Sequence, residues 1–436
     1  VGAVVLNVTV TGSTSNWESF VTAYGRLDIR PNASSLNYAR GRTVSNLVIV
    51  PVGAAGQVSF YLSGRTDIVV DVLGWTPAAS AVELTASHYQ TCATTSLGGM
   101  KCWGRGSNGQ LGSADSRAHS IPRDVTGLNA GVTSIASGEL GTCALTASGG
   151  VKCFGSNSGG GLGTGTLTYV QDVPADVAGL TSGVRQVAKS DQHQCAVLTG
   201  GGVRCWGLNN YGQLGDGTTT NRTSPVAVNG ISNAVAVALG DAHSCALLSS
   251  GGLKCWGSNA RGQLGNGSTT HSSTPVDVTG ATSGMSKISA GGSVSCAITT
   301  AGAARCWGWN NWGQLGDGTS TSASAPVAVT GLGSGTAEIA VGQQHVCAAT
   351  TAGAARCWGD NAGLNPTGRL GTGDYTSSKV PVQVVGLTSG VSKITAGWEH
   401  SCAVVRGAVM CWGRNYWGQL GTGRTSTTSP MRVVGF

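Results

Sequence analysis

Between residues 80 and 436, short apolar runs alternate with glycine-rich turns, and the same order of runs returns along the chain. The unit at residues 245–278 shows the pattern: C-A-L-L, then G-G-L-K-C-W-G, then G-Q-L-G, then a Ser/Thr-rich loop and P-V-D-V. Short alternating runs bounded by glycine turns predict β-strands, at most four in each unit. No segment after residue 80 keeps an apolar period of 3.6 long enough to predict a helix.

The cysteines measure the length of this repeat. They occur in pairs, and the first cysteines of successive pairs are 51, 52, 50, 51, 51 and 55 residues apart. A unit of about 50 residues cannot bury its sheet face alone, whereas seven units arranged radially can bury all of them. The sequence therefore predicts a seven-bladed β-propeller. We also predict that the last strand, within residues 430–436, pairs with the first blade, because this pairing would close the ring without open edges.

Residues 1–79 contain no cysteine and do not follow the repeat. Apolar and polar residues alternate with period two at Val4–Val10, Gln57–Leu62 and Asp67–Val72. About five strands of this kind predict a small β-sandwich. We therefore expect an all-β protein with a β-sandwich-like domain at residues 1–79, which is incomplete if Val1 is its true start, and a propeller at residues 80–436.

Fourteen cysteines form seven pairs with none left over. Zinc and redox sites favour C-x-x-C, which does not occur in this sequence. Two strands joined by a tight turn place such partners opposite each other, with Cα atoms about 4.5–5.5 Å apart and within disulfide range. The spacing predicts one disulfide per blade and an oxidising compartment. The pairs are Cys92 and Cys102, Cys143 and Cys153, Cys195 and Cys205, Cys245 and Cys255, Cys296 and Cys306, Cys347 and Cys357, and Cys402 and Cys411.

Composition and charge narrow the classes of partner. Glycine accounts for 71 of 436 residues, charged residues make up only 10%, and the formal net charge is +7. No run of lysine or arginine could neutralise a row of phosphates, so nucleic acid is not an expected partner. No stretch approaches the roughly 18 apolar residues of a membrane span. The sequence begins at Val1 without a leader peptide, which fits a processed or trimmed product.

The repeated letters resemble a known family. C-W-G-x-N-x-x-G-Q-L-G, the preceding G-x-x-H-x-C and the later P-V-x-V are similar to the RCC1-like seven-bladed propeller family over about residues 80–436. G-Q-L-G stands at residues 109–112, 212–215, 262–265, 313–316 and 418–421. Gly161 and Arg369 take the glutamine position in the other two units, Phe154 replaces one tryptophan, and the sixth unit has an insertion near residues 363–366.

The first 79 residues resemble a β-sandwich module that is common in secreted bacterial proteins. The resemblance rests on A-V-V-L-N-V-T-V-T, R-P-N-A-S-x-L-N-Y, N-L-V-I-V and V-V-D-V-x-G-W. In that module further strands precede the first of these segments. If Val1 is a true start, the sandwich has an open apolar edge that invites strand addition from another chain. The alternative is that upstream residues lie outside this sequence.

The sequence contains few signals of catalytic or metal chemistry. The G-x-G-x-x-G at residues 104–109 lies in no βαβ unit and consists of the repeat's own glycines. Asp216 and Asp317 lie in L-G-D-G turns, where Asp-Gly is ordinary turn chemistry. P-loop, H-E-x-x-H and G-x-S-x-G patterns are absent from the sequence. We therefore predict a protein that is not an enzyme and uses no metal and no cofactor.

Histidines stand two residues before the first cysteine in four of the seven units. The resemblance implies that this histidine belongs to the framework of the repeat. A shared metal site is not expected, because sevenfold spacing around a channel keeps equivalent side chains apart. The seven residues at this position are Gln90, Gly141, His193, His243, Val294, His345 and His400.

One set of side chains goes beyond the framework of the repeat. Aromatic residues or arginine occupy variable places in and beside the N-x-x-G-Q-L-G loops of four units. Equivalent loops emerge on the same side of a propeller, and aromatic residues and arginine are common at binding hot spots. These residues predict one binding patch, with packing against neighbouring blades as the alternative. They are Tyr211, Arg261, Trp309, Trp312, Tyr416 and Trp417.

Two hypotheses of function follow. The first is a secreted, non-catalytic structural or interaction protein that assembles at the cell surface or into extracellular fibres through its N-terminal domain and its propeller. The second is a binding module that captures or inhibits a secreted enzyme through aromatic loops on one face, as RCC1-like β-lactamase inhibitors do. In both, the partner is a protein, either another copy of the chain or a secreted protein.

Overall fold

The computed structural model describes residues 3–11, 19–25, 35–40, 42–51, 57–76, 80–167, 169–363, 367–423 and 425–435. The chain divides into two compact units, Val1–Ser80 with Val434–Phe436, and Ala81–Val433. Regular structure in the described residues is β apart from one 3-10 turn at Ser158–Gly160. Most of the insertion expected near residues 363–366 lies outside the described residues, as do residues 30–34 of the R-P-N-A-S segment.

Six strands of the first unit form two antiparallel three-stranded sheets, in the orders β4-β1-β6 and β3-β2-β5. Leu6, Val8 and Val10 alternate along β1 and are buried in one cluster with Val21 and Leu36 of the other sheet. The period-two pattern of the sequence therefore selects the face that enters this core. The strands are β1 (Ala3–Thr11), β2 (Ser19–Gly25), β3 (Leu36–Tyr38), β4 (Val44–Pro51), β5 (Val58–Leu62) and β6 (Asp67–Thr76).

The second unit contains seven four-stranded antiparallel sheets, one for each repeat, and we call them blades 1 to 7. Blades 1 to 4 are β7 (Ala81–Ala86), β8 (Gln90–Thr95), β9 (Met100–Gly104), β10 (His119–Asp124); β11 (Val132–Gly138), β12 (Gly141–Thr146), β13 (Val151–Ser156), β14 (Val170–Asp176); β15 (Val184–Lys189), β16 (His193–Leu198), β17 (Val203–Gly207), β18 (Arg222–Ala227); and β19 (Ala234–Leu239), β20 (His243–Leu248), β21 (Leu253–Gly257), β22 (Ser272–Asp277). Blades 5 to 7 are β23 (Met285–Gly291), β24 (Val294–Thr299), β25 (Ala304–Gly308), β26 (Ala323–Ala328); β27 (Thr336–Val341), β28 (His345–Thr350), β29 (Ala355–Gly359), β30 (Ser378–Gln383); and β31 (Val391–Ala396), β32 (His400–Val405), β33 (Ala408–Gly413), β34 (Thr427–Arg432).

The first strand of each blade contacts the first strands of the two neighbouring blades, and β31 of blade 7 contacts β7 of blade 1. These seven strands therefore surround a central channel. The hydrophobic core lies between blades: Trp206 of blade 3 is buried against Cys143, Cys153 and Leu162 of blade 2. Each blade thus buries its sheet face only with the help of the next blade, as a repeat architecture requires.

The predicted closure by a shared sheet is wrong. The last strand, β34, pairs with β33 of its own blade, and blade 1 is complete with its own four strands. Seven units of four consecutive strands leave no strand to exchange, so the ring closes by packing of blade 7 against blade 1. The Ala81 N–H donates to the carbonyl of Gly407 at 2.9 Å, and the Ala86 N–H donates to Thr395 Oγ1 at 3.1 Å.

Because the strands of each blade are antiparallel, its connections alternate between the two ends of the propeller. The end that carries the connections between first and second strands and between third and fourth strands is called the loop face. The end that carries the turns between second and third strands is called the hairpin face. All the loops in which the sequence predicts a binding patch lie on the loop face.

Candidate functional site

Each cysteine pair joins the second and third strands of one blade. Cys143 and Cys153 are directly opposed in the β12–β13 ladder, and their Cα atoms are 4.1 Å apart. The other six pairs are bonded in the same way, and in blade 7 the separation is 9 residues instead of 10. All fourteen cysteines are fully buried, and none in the described residues is free. The disulfides therefore stabilise the hairpins, and these cysteines provide no free thiol as a nucleophile.

The histidines that precede the cysteines connect neighbouring blades. His243 Nε2 lies 2.8 Å from Oγ of Ser295 in the next blade, and that hydroxyl lies 3.0 Å from the carbonyl oxygen of Gln263. The carbonyl can only accept, so the hydroxyl donates to it and accepts from the histidine, which must carry its proton on Nε2. The same arrangement joins His193 to Ser244, His345 to Ser401, and His400 to Thr91.

These histidines are fully buried and neutral. Burial lowers the pKa of His243 to about 4, and burial together with nearby cations lowers the pKa of His193 and of His400 to about 3. Burial likewise holds the pKa of His345 well below its usual value. A neutral imidazole held by a hydroxyl has a structural role, which agrees with the expectation from the sequence.

The glutamine of G-Q-L-G explains why the residue two places before it projects outward. Gln213 Oε1 accepts a hydrogen bond from the N–H of Tyr211 at 2.9 Å, and Gln314 Oε1 accepts one from the N–H of Trp312 at 2.8 Å. Arg261 and Trp417 are held in the same way by Gln263 and Gln419. The backbone of the loop is thus fixed from below, while the side chain before Gly-Gln is left on the surface.

The structure brings four of the six predicted patch residues together in two groups. Tyr416 and Trp417 are in edge contact, with ring centroids 5.2 Å apart. Arg261 and Trp309 line one cavity with Asp241 and Gln343. Tyr211 of blade 3 packs on His271 of blade 4, and Trp312 is exposed on blade 5.

A larger cluster surrounds Trp417 at the junction of blades 7 and 1. The Arg105 guanidinium lies 5.3 Å from the ring centroid of Trp417 and 5.7 Å from that of Tyr89. Tyr89 is in turn 5.5 Å from Trp398. We call Tyr89, Arg105, Trp398, Tyr416 and Trp417 the blade 7–1 cluster. It combines large aromatic surface with an arginine, and Tyr416 remains 73% exposed.

A charged group, here called the mouth cluster, lies beside it where the channel opens on the loop face. Its members are His88, Glu139, Asp191 and Asp241, from blades 1 to 4. His88 Nδ1 lies 3.1 Å from Glu139 Oε2, and His88 Nε2 lies 3.1 Å from Asp191 Oδ2. The Gln343 amide donates to Asp241 Oδ2 at 2.8 Å.

The charges of the mouth cluster shift one another's pKa values. Burial alone would lower the pKa of His88, but its hydrogen bond to Glu139 and the charges of Asp191, Glu139 and Asp241 together raise it. The hydrogen bond from His88 lowers the pKa of Glu139 despite partial burial. Burial and the charge of Asp191 raise the pKa of Asp241.

His88, Glu139 and Asp191 are also the residues that could approach a metal ion. Their ligand atoms lie within 4.8 Å of one another, and they form the one such group of three in the described parts of the chain. Each ring nitrogen of His88 already faces a different carboxylate, so a metal would have to displace one of these contacts. The arrangement is that of an ion-pair network. In the described residues, no helix is both long and apolar enough to cross a membrane.

Comparison with protein families decides where this chain belongs. A model of the RCC1-like domain matches residues 70–334, and models of the regulator of chromosome condensation repeat match residues 357–404 and 337–362. The first match covers more than half of the sequence. The chain belongs to the RCC1-like family.

Two curated relatives show how far this likeness extends. Ultraviolet-B receptor UVR8 of Arabidopsis thaliana is 32% identical over 338 residues, which are 76% of this chain and 64% of that protein. E3 ubiquitin-protein ligase HERC2 of Homo sapiens is 30% identical over 338 residues, which are 75% of this chain and 7% of that protein. The RCC1-like chain therefore spans less than two thirds of the length of these relatives.

Solved structures show the same RCC1-like fold. Human WBSCR16 superimposes with a TM-score of 0.65 at 25% identity, covering 76% of this chain and 92% of that one. Yeast RCC1 (Prp20), solved with Kap60 bound, gives a TM-score of 0.66 at 22% identity, covering 83% and 89%. The second likeness concerns the fold alone.

The mouth cluster was missed in the sequence, although the RCC1-like repeat contains a signal for it. Its members all stand four residues before the first cysteine of their units, a position that differs from unit to unit. The connections between first and second strands bring this position to the rim of the channel. Comparing the seven units at one offset would have found the cluster. The seven residues are His88, Glu139, Asp191, Asp241, Gly292, Gln343 and Trp398.

Proposed function

We propose that this RCC1-like propeller is a non-catalytic protein-interaction module that binds a partner protein through its loop face. The blade 7–1 cluster carries the proposal. It places three kinds of side chain enriched at binding hot spots, Trp, Tyr and Arg, on one surface. Its backbone is held by buried framework contacts, so little conformational entropy is lost when a partner binds.

The proposed place of action is extracellular. Seven buried disulfides, one in each blade, support this because such bonds persist in oxidising compartments and are rare in reducing ones. A secreted partner follows from the same argument. A secreted enzyme that is captured and inhibited is one form of this function.

Binding by purified components tests the proposal. Secreted proteins of the source organism are cross-linked to the chain and identified, and the purified candidate is then titrated against wild type and against Tyr416→Ala/Trp417→Ala. The double variant should weaken binding at least tenfold. The matched control is Leu97→Ala, which removes a side chain that is 78% exposed on the hairpin face and should leave the affinity unchanged. Loss of binding in the control alone would overturn the assignment to the loop face.

A second candidate function is self-association through the first unit. The face of the β4-β1-β6 sheet that points away from its core carries Leu47 and Ile49 of β4 at 58% and 67% exposure, and Val69 of β6 at 51%. In the pairing register Leu47 lies opposite Asn7, and Val69 lies opposite Thr9 on the same strand β1. An apolar sheet face of this kind supports assembly into dimers or fibres.

Particle size distinguishes this second candidate. Electron microscopy and light scattering of the full chain should show assemblies that Ile49→Lys disperses. The control is Ser45→Lys, which places the same charge on the same strand, four residues before Ile49 and at a position that is already polar. It should leave the assemblies intact. Discrete monomers of the wild-type chain at all concentrations would reject self-assembly while leaving the loop-face proposal standing.

A further inference from the structure

We propose that the mouth of the channel binds a basic side chain, an arginine or a lysine, which a partner protein inserts from the loop face. This inference rests on the proposed function and specifies the chemistry of the partner. The mouth cluster supplies the negative charge, and the adjoining Trp398 supplies an aromatic surface.

Among the mouth-cluster carboxylates, Asp241 is the one that forms no ion pair in the described residues, although Lys189 lies beside Asp191 and Arg105 acts on Glu139. Glu139 and Asp191 face His88, whereas the contact that the structure gives to the Asp241 carboxylate is a neutral amide of Gln343. The raised pKa of Asp241 follows from burial beside the like charge of Asp191. An incoming cation would relieve this repulsion, since opposite charges a few ångströms apart in a partly buried site attract strongly.

The cavity has the size and the lining for one side-chain head group. It measures about 110 Å³ and is lined by Trp398, Gln343, Lys189 and three of the four mouth-cluster residues, together with glycine-rich ends of the innermost strands. The volume suffices for a few water molecules, which a guanidinium or an ammonium group would displace. Carboxylates form charge-assisted hydrogen bonds with such groups.

Trp398 is positioned to hold the same cation from the side. Its ring lies 4.3 Å from the His88 ring, so His88 is stacked between the aromatic surface and the carboxylates. The backbone of Trp398 is fixed, because its N–H donates to Ser87 at 3.2 Å and its carbonyl accepts from Arg369 at 3.1 Å. A cation that takes the place of the His88 ring against this face gains a further attraction.

Protonated His88 occupies the place that the incoming cation would take. Its pKa is raised, so the imidazolium is present at acidic pH and neutralises part of the cluster. Binding of an external cation must release this proton, and affinity must therefore increase as pH rises through the pKa of His88. The charged and titratable groups around His88 are Glu139, Asp191, Asp241, Lys189, Arg105 and His400.

The test is titration of the full chain with acetyl-arginine amide, followed by calorimetry and tryptophan fluorescence. Acetyl-citrulline amide, which has the same shape without the charge, is the control probe. We expect the charged probe to bind at least tenfold more tightly than the citrulline probe at pH 8. Asp191→Asn and Asp241→Asn should each weaken it at least tenfold, whereas Asp277→Asn, on the outermost strand of blade 4, should not change it.

His88→Gln gives the sharpest result because it predicts a gain. Removal of the resident cation should tighten binding of acetyl-arginine amide severalfold at pH 6 and abolish the pH dependence. A purely structural role of His88 would instead weaken binding. Thermal unfolding of each variant confirms that the propeller is intact.

Several results would overturn the inference. These are equal binding of the two probes, unchanged binding in both Asp→Asn variants, or weaker binding in His88→Gln. Micromolar or tighter binding of zinc or calcium that excludes the arginine probe would make the mouth a metal site instead. If the probe fails but Tyr416→Ala/Trp417→Ala still loses the partner, this inference falls and the proposed function stands. If the probe binds but the loop-face variants keep the partner, the proposed function falls and the cation site stands.

Discussion

His193 Nε2 lies 2.7 Å from Ser244 Oγ, and the two residues belong to different blades. The Ser244 hydroxyl lies 2.8 Å from the carbonyl of Gln213, so one buried hydroxyl joins a histidine ring to the loop that follows it. Trp256 Nε1 donates to the same carbonyl at 2.9 Å. The contact between blades is therefore polar at its centre and apolar around it.

The two positions that form this contact, the one held by His193 and the one held by Ser244, carry different residues in other pairs of blades. In the interface between blades 1 and 2, Gln90 Nε2 donates to Thr142 Oγ1 at 2.9 Å. In the interface between blades 5 and 6, Val294 and Val346 take the two places and belong to one buried apolar cluster. In these interfaces a polar residue meets a hydroxyl and an apolar residue meets an apolar one, which avoids a buried donor without an acceptor. The interface between blades 2 and 3 departs from this rule, because Gly141 and Gln194 take the two places.

The first prediction replaces a polar contact between two blades, that of His243 with Ser295, by an apolar one. Ser295→Val alone should lower the free energy of unfolding by about 1–3 kcal/mol, because it leaves the buried His243 N–H without an acceptor. His243→Val/Ser295→Val should recover part of this loss, since it copies Val294 and Val346. The Gln263 carbonyl keeps its bond from Trp307 Nε1 at 3.0 Å.

A double-mutant cycle of chemical unfolding measures the coupling. The two substitutions should be less destabilising together than the sum of their separate effects. Additive effects would show that the histidine and the hydroxyl do not depend on each other.

The second prediction concerns acid. The pKa of His400 in the folded chain is about 3, well below the usual 6.5, so the unfolded chain binds more protons between these values. The stabilisation is fully present above about pH 6.5 and is lost as pH falls toward the folded pKa. His400→Gln, which faces Thr91 as Gln90 faces Thr142, should weaken this dependence by up to about 1.4 kcal/mol per pH unit.

Thermal and chemical unfolding between about pH 8 and pH 4.5 checks this sign. Gln90→His is the matched reverse change and should make the dependence steeper. His88 acts in the opposite direction, because its raised pKa gives stability that is lost as pH rises through that value. A wild-type chain whose stability is constant from pH 6.5 to pH 4.5 would contradict the neutral state of the buried histidines.

The third prediction concerns the disulfides. Mass measurement after denaturation and alkylation should show no labelled thiol without reductant and fourteen labelled thiols after reduction. Cys143→Ala/Cys153→Ala should lower the free energy of unfolding by about 2–3 kcal/mol, because the closed loop is short. Labelling before reduction would show that at least one pair is open.

The fourth prediction concerns the ion pair of blade 6. Arg369 Nη2 lies 3.2 Å from Asp360 Oδ2, and both side chains are 1% exposed. Asp360→Asn should cost about 3–5 kcal/mol, because it leaves a buried guanidinium without its counter-charge. Asp360→Ser/Arg369→Gln should be better tolerated, since Ser258 and Gln263 take these two places in blade 4 and are hydrogen-bonded at 3.3 Å. Urea unfolding of both variants decides between these outcomes, and equal losses would mean that the pair is not coupled.

The period of the sequence predicted most of the propeller. Cysteines spaced for a hairpin, glycine turns and the recurring C-W-G predicted seven four-stranded sheets, and likeness to RCC1-like structures confirms the fold class. The prediction of these sheets succeeded because strand alternation, turn chemistry and hairpin register are local properties of consecutive residues. The resemblance of the first unit to a module of secreted proteins stays a prediction.

From the sequence alone, the closure of the ring was predicted wrongly, and the binding surface was predicted only as a set of similar loop positions. Closure depends on the packing of blade 7 against blade 1, between residues as far apart as Thr91 and His400. The binding surface also depends on packing between blades, because Arg105 and Tyr89 of blade 1 complete the cluster around Tyr416 and Trp417 of blade 7.

What the sequence by itself determined is the repeated unit: its strands, its turns, its disulfide positions and the side chains that each loop carries. Only the tertiary structure decided which variable positions meet. His88 and Asp191 are more than 100 residues apart, yet their side chains lie 3.1 Å from each other. The physical reason is that curvature of the ring, set by the buried contacts between blades, brings the inner ends of separate units to one point.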